Sequence, residues 1–118
     1  MVVDDYVDGA EMLAEILTDA GYEVRVVTDS AKALRTAEEF LPHIACVDIG
    51  MPIMDGYTLA VHLRKLAGLA NIHLIAMTGF GTEQDRDKSR SAGFSVHLVK
   101  PVTFDDIHAA IRARPASS

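Results

Sequence analysis

Five short apolar runs, most of them rich in Val and Ile and separated by stretches of helical periodicity, constrain this chain more than any other feature. The runs are Met1 to Val3, Val24 to Val27, Ile44 to Val47, Leu74 to Met77 and Val96 to Val99. β-Branched residues suit a pleated backbone, and short continuous apolar runs suit strands buried on both faces. Between them Leu13, Ile16 and Leu17 recur at helical spacing, as do Leu34, Ala37 and Leu41, then Leu59, Leu63 and Leu66, and finally Phe104, Ile107 and Ile111. Gly21, Pro42 and Gly93 punctuate helix ends, and Asp55-Gly56 reads as a turn or helix start. Asp29 or Ser30 is placed as an N-cap, as is Thr103, which is followed by Asp105 and Asp106 in the first turn. Strands alternating with helices imply an α/β fold with a parallel sheet and helices on both faces. The first run is short, as if the sequence started inside its strand.

At 118 residues and 49% hydrophobic side chains the chain is the size of one domain, placed at residues 1–114 with a short tail at 115–118. Its apolar runs fall far short of the roughly 20 residues of a membrane helix, so a soluble, cytoplasmic chain without membrane contact is expected. The formal net charge of -6 has the wrong sign for general attraction to nucleic acid or anionic lipid. A single cysteine, Cys46, cannot form an internal disulfide and reads as a small core residue.

Each of four apolar runs ends in a residue capable of site chemistry. The first runs into Asp4 and Asp5, the third into Asp48, the fourth into Thr78 and the fifth into Lys100. The C-terminal ends of an open parallel sheet lie along one edge, where the ligand crevice sits. Any one of these residues could merely terminate its strand, but four coincidences at one edge argue for a site. Clustered carboxylates repel unless a cation neutralises them, and oxygen donors of this kind suit Mg2+. An aspartate beside Mg2+ can attack phosphorus to give an acyl phosphate. An ammonium such as Lys100 and a hydroxyl such as Thr78 would then meet the phosphoryl oxygens.

The motifs "VVDD", "VDIGMPIMDG", "MTG" and "VKP" occur in an order and at a spacing that resemble the response regulator receiver domain of two-component signalling. The resemblance covers nearly the whole chain. It implies a doubly wound, flavodoxin-like fold with a five-stranded parallel sheet of order 2-1-3-4-5 and five helices. It also implies that Asp48 is the phosphoacceptor. Asp5, Asp48 and the backbone carbonyl of Gly50 would be Mg2+ ligands, with Asp4 binding through water. Thr78 and Lys100 would contact the phosphoryl group, and the peptide bond between Lys100 and Pro101 would be cis. Such a domain takes its phosphoryl group from a histidine kinase or histidine phosphotransfer domain and catalyses only its own phosphorylation and dephosphorylation. A monomer or weak dimer is expected. The stretches "DIGMPIMDGY" and "MTGFGTEQDRDKSRSAGF" look most like receivers attached to hybrid sensor histidine kinases. Two positions depart from many relatives. Gly50 leaves the path of an attacking water without a side-chain guard. His97 stands where a Tyr or Phe usually turns inward when the threonine moves, so an inward imidazole at this switch position needs a hydrogen-bond partner.

Other features have plainer readings. Met51 and Met54 fill gaps beside the site loop. His43, His62, His73 and His108 lack Cys or His partners at metal-ligand spacing. The run Glu83 to Arg90 contains no apolar residue, so as a helix it would have almost nothing to bury. It is either a solvated face or a loosely held helix that moves on phosphorylation. Two rival functions fit less well. A Mg2+-dependent aspartyl-phosphate phosphohydrolase usually carries Asp-x-Asp after its first strand and a cap insertion, whereas here Asp4 and Asp5 are adjacent and no loop is long enough. A receiver-like interaction module would lack one of the site residues.

Overall fold

Side chains alternate across the central strands of one five-stranded parallel sheet, which is why helices pack on both of its faces. The computed structural model describes residues 1–52, 54–79 and 81–114. Strands β1 (Val2–Val3), β2 (Val26–Val27), β3 (Ile44–Asp48), β4 (His73–Thr78) and β5 (Val96–Val99) alternate with helices α1 (Val7–Asp19), α2 (Ser30–Phe40), α3 (Gly56–Lys65), α4 (Glu83–Ala92) and α5 (Phe104–Arg112). The strands lie in the order β2-β1-β3-β4-β5, all pairs parallel, as expected from the resemblance.

Register sorts the core into two halves. Val2, Cys46, Ile75 and Val96 form one row across the sheet, facing Ala10 and Leu17 of α1 and Ile107, Ala110 and Ile111 of α5. Val27, Val3, Val47 and Ala76 form the adjacent row on the opposite face, covered by Ala33 and Ala37 of α2 and Leu59, Ala60 and Leu63 of α3. That second row continues to His97 on β5. Each fully buried Leu or Ile contributes about 1.5–3 kcal/mol, so both halves clamp the sheet between them. Cys46 belongs to the first half, and burial pushes its thiol up to about 11.

The caps follow the local sequence. Asp29 accepts from the Ala31 amide, Asp55 from Thr58, and Thr103 forms a capping box with Asp106. Gly93 ends α4 at φ 103°, with the Arg64 Nε 2.7 Å from where a Cβ would stand.

Three sequence expectations need correction. The edge strands are not buried on both faces, since Val26 and Val99 remain 37% and 40% exposed; an edge has a neighbour on one side only. Val24 lies outside β2, although it packs on the α1–α5 half. Leu41 is not part of the α2 stripe. It is the left-handed cap of that helix at φ 51° and is exposed. Helix α4 buries almost nothing, as its charge-rich sequence implies: Ser89, at 2% exposed, is its one buried side chain. The tail at 115–118, and Ile53 and Phe80 within the motif stretches, lie outside the described residues. Among the described residues, no helix is long and apolar enough to cross a membrane.

Candidate functional site

Four strands, β1, β3, β4 and β5, bring polar side chains to one end of the sheet, and two of them, β1 and β3, supply the carboxylates. Asp4 follows β1, its amide donating to Val27 O at 3.1 Å and its Oδ1 accepting from the Tyr6 amide at 3.0 Å. Asp48 ends β3, and the chain turns at once: Ile49 N donates to Met77 O, and Gly56 N comes back to Ile49 O at 3.1 Å. That return requires glycine, because a Cβ on Gly56 would lie 2.7 Å from Asp48 O. Thr78 ends β4, and Lys100 follows β5 with its amide on Thr78 O at 2.7 Å. The Lys100–Pro101 peptide bond is cis.

Asp4, Asp48 and Thr78 are buried, while Asp5 is exposed at the mouth. Donor oxygens of Asp4, Asp5 and Asp48 all lie within 4.8 Å of one another. Lys100 Nζ reaches Asp4 Oδ2 at 3.0 Å and Asp48 Oδ1 at 3.5 Å. Gly50 N donates to Asp48 Oδ1 at 3.2 Å, and a Cβ on Gly50 would stand 3.9 Å from that oxygen. Burial pushes the Asp48 carboxyl up to about 6. The Gly50 amide and Lys100 pull it down, and Asp4 pushes it further up. Burial lowers the Lys100 ammonium, but its hydrogen bond to Asp4 and the charges of both carboxylates outweigh this and raise it. Among the described residues one cation faces three carboxylates, so the pocket is short of positive charge. A hard oxygen-binding dication fits such a donor set.

Of the residues singled out from the sequence at the strand ends, Asp4, Asp5, Asp48 and Lys100 come together through their side chains, and Thr78 is joined to Lys100 through its backbone carbonyl. His97 is not among them. It lies on β5 beside Ala76, and its Nδ1 is 2.8 Å from Ser89 Oγ of α4. Sequence reasoning missed Ser89, whose only signal is a small polar side chain among charged ones. Met51 and Met54 pack on the α2–α3 half of the core, as read. His73 is buried, its Nε2 donating to Ala110 O at 2.8 Å.

Residues 1–112 match the family model of the response regulator receiver domain. The chain belongs to that family. As a receiver domain it is a phosphoryl-accepting signalling switch. It is 36% identical over 102 residues to an uncharacterised 14.6 kDa protein of Leptolyngbya boryana, covering 86% of this chain and 78% of that one. It is 32% identical over 113 residues to the transcriptional regulatory protein PrrA of Mycobacterium tuberculosis, covering 96% of this chain. It spans 48% of PrrA, about half of that regulator's length. Among solved structures, the receiver domain of a signal transduction histidine kinase from Syntrophus aciditrophicus superposes with a TM-score of 0.83 at 28% identity, covering 95% of this chain and 85% of that one. The receiver domain of the sensor histidine kinase PA1611 from Pseudomonas aeruginosa, with a magnesium ion in its active site cleft, gives 0.85 at 25% identity, covering 96% and 93%.

Proposed function

We propose that this receiver takes a phosphoryl group from the phosphohistidine of a histidine kinase or histidine phosphotransfer domain onto Asp48 in a Mg2+-dependent reaction, and changes conformation to signal onward. The observation that carries the reading is the convergence of Asp4, Asp5 and Asp48 within 4.8 Å beside the Lys100 ammonium. Asp5, Asp48 and the Gly50 carbonyl would hold Mg2+ directly, and Asp4 through water. When bound, Mg2+ supplies positive charge beside the transferring phosphoryl oxygens. An Asp48 oxygen attacks phosphorus, the phosphorus–nitrogen bond breaks, and its electron pair stays on the donor imidazole. Lys100 and the Thr78 hydroxyl then bind the oxygens of the acyl phosphate, which compensates the charge brought in. Thr78 moves toward the phosphoryl group, and His97, in register two residues before it through Ala76, responds.

The domain, residues 1–114, works in the cytoplasm and catalyses only its own phosphorylation and dephosphorylation. Its motif stretches support placement with the receivers of hybrid sensor histidine kinases. The magnesium in the cleft of the PA1611 receiver supports the metal assignment.

Intact-mass measurement after incubation with a phosphorylated histidine phosphotransfer domain and Mg2+ tests the assignment. The wild type is expected to gain one phosphoryl group and Asp48→Ala none. A variant that gained one at the wild-type rate would move the acceptor elsewhere.

A further inference from the structure

The loop that leaves β3 after Asp48 carries Gly50, and it is tied down well on one side. Ile49 N donates to Met77 O at 2.9 Å, Gly56 N to Ile49 O at 3.1 Å and Gly50 N to Asp48 Oδ1 at 3.2 Å. Toward the start of α2 it borders instead a cavity of about 190 Å3, lined by Asp5, Thr28, Asp29, Ser30, Met51 and Pro52. Atoms that line a gap lack van der Waals partners on that side, so packing alone restrains the loop weakly there. A polar contact joins the two walls: Ser30 Oγ donates to Pro52 O at 3.3 Å. Ser30 is the first residue of α2 and is 3% exposed. Its hydroxyl is not needed to cap the helix, because Asp29 already accepts from the Ala31 amide. Pro52 O also accepts from the Met54 amide at 2.8 Å, so the hydroxyl holds the carbonyl around which the loop turns.

We propose that Ser30 is a positioning residue for the metal, fixing through Pro52 the segment that presents the Gly50 carbonyl. The inference rests on the assignment of Mg2+ to Asp5, Asp48 and that carbonyl. Ser30 does not touch the ion; it acts through Pro52, two residues from Gly50, and across the cavity that Asp5 also borders. Mg2+ tolerates little departure from octahedral geometry, and a loop ordered in advance has less freedom to lose when the ion binds. Without the hydroxyl the loop keeps its contacts to β3, β4 and α3 but is released on the α2 side.

Mg2+ titration of the metal-free domain, followed through the amide shifts of Asp5 and Gly50 by NMR, tests it. Ser30→Ala is expected to weaken Mg2+ binding roughly three- to tenfold, the equivalent of one hydrogen bond. Ser30→Thr keeps the hydroxyl and has the cavity for its methyl, so its affinity is expected to stay within about twofold of wild type. Asp5→Asn, which removes a ligand charge, serves as the control and is expected to weaken binding as well. Unchanged affinity in Ser30→Ala beside weakened affinity in Asp5→Asn would overturn the inference and leave the metal assignment standing, even if the unfolding midpoint of Ser30→Ala fell. Unchanged affinity in both would overturn the metal assignment and the inference with it. Equal weakening in Ser30→Ala and Ser30→Thr would overturn the role of the hydroxyl.

Discussion

Lys100 Nζ sits 3.0 Å from Asp4 Oδ2 and so joins the loops after β5 and β1 across a sheet in which β3 and β4 lie between them. The same ammonium is the only cation beside Asp48 among the described residues. Lys100→Met keeps the apolar stem and removes the charge. Two buried carboxylates then face each other uncompensated, and at pH 7 the domain is expected to lose about 1–3 kcal/mol in urea denaturation. Phosphoryl transfer is expected to slow as well. An unchanged unfolding midpoint at pH 7 would mean that the contact adds nothing to the fold.

Asp48 gives a second, opposite effect. Its carboxyl titrates at about 6 in the folded domain against 3.8 for the ordinary group, chiefly because it is buried. Between those values the folded state binds more protons than the unfolded chain. Stability therefore falls as pH rises through this window, and the penalty is complete above it. In metal-free buffer at pH 7, Asp48→Asn is expected to be more stable than wild type by about 1–2 kcal/mol. Its stability should also change less between pH 4 and pH 6. Parallel pH profiles for the two proteins would contradict the raised carboxyl.

Helix α4 fully buries only Ser89, which is bonded to His97. Ser89→Ala removes one hydrogen bond, so α4 is expected to open more often, with amide exchange across Glu83–Ala92 faster by roughly fivefold. Exchange in α1 should not change. Equal acceleration in both helices would show a global loss of stability instead.

Gly50 presents no side chain at a position where a Cβ would lie 3.9 Å from Asp48 Oδ1. A longer polar side chain there, as in Gly50→Gln, is expected to obstruct water and lengthen the lifetime of the acyl phosphate severalfold. The decay of the phosphorylated mass with time measures it. Decay at the wild-type rate would put the attacking water on another path.

The sheet and the strand-end cluster were readable because both follow from one-dimensional patterns. Apolar runs report burial, and a parallel sheet sends every run's last residue to the same edge, so Asp4, Asp48, Thr78 and Lys100 could be grouped without coordinates. What escaped depended on neighbours. Val26 and Val99 read like any core valine, and only strand order makes them edge residues. Leu41 fits the α2 period, yet the chain leaves the helix there before Pro42. Ser89 carries no burial signal of its own; its partner lies eight residues on, in another element.

The second row of the sheet runs through four apolar side chains to an imidazole, and the helix covering that end meets it with a hydroxyl. Little of α4 is committed to holding the fold. Its outward residues are therefore free to drift over evolutionary time, or to be exchanged by design, while the core sequence stays as it is.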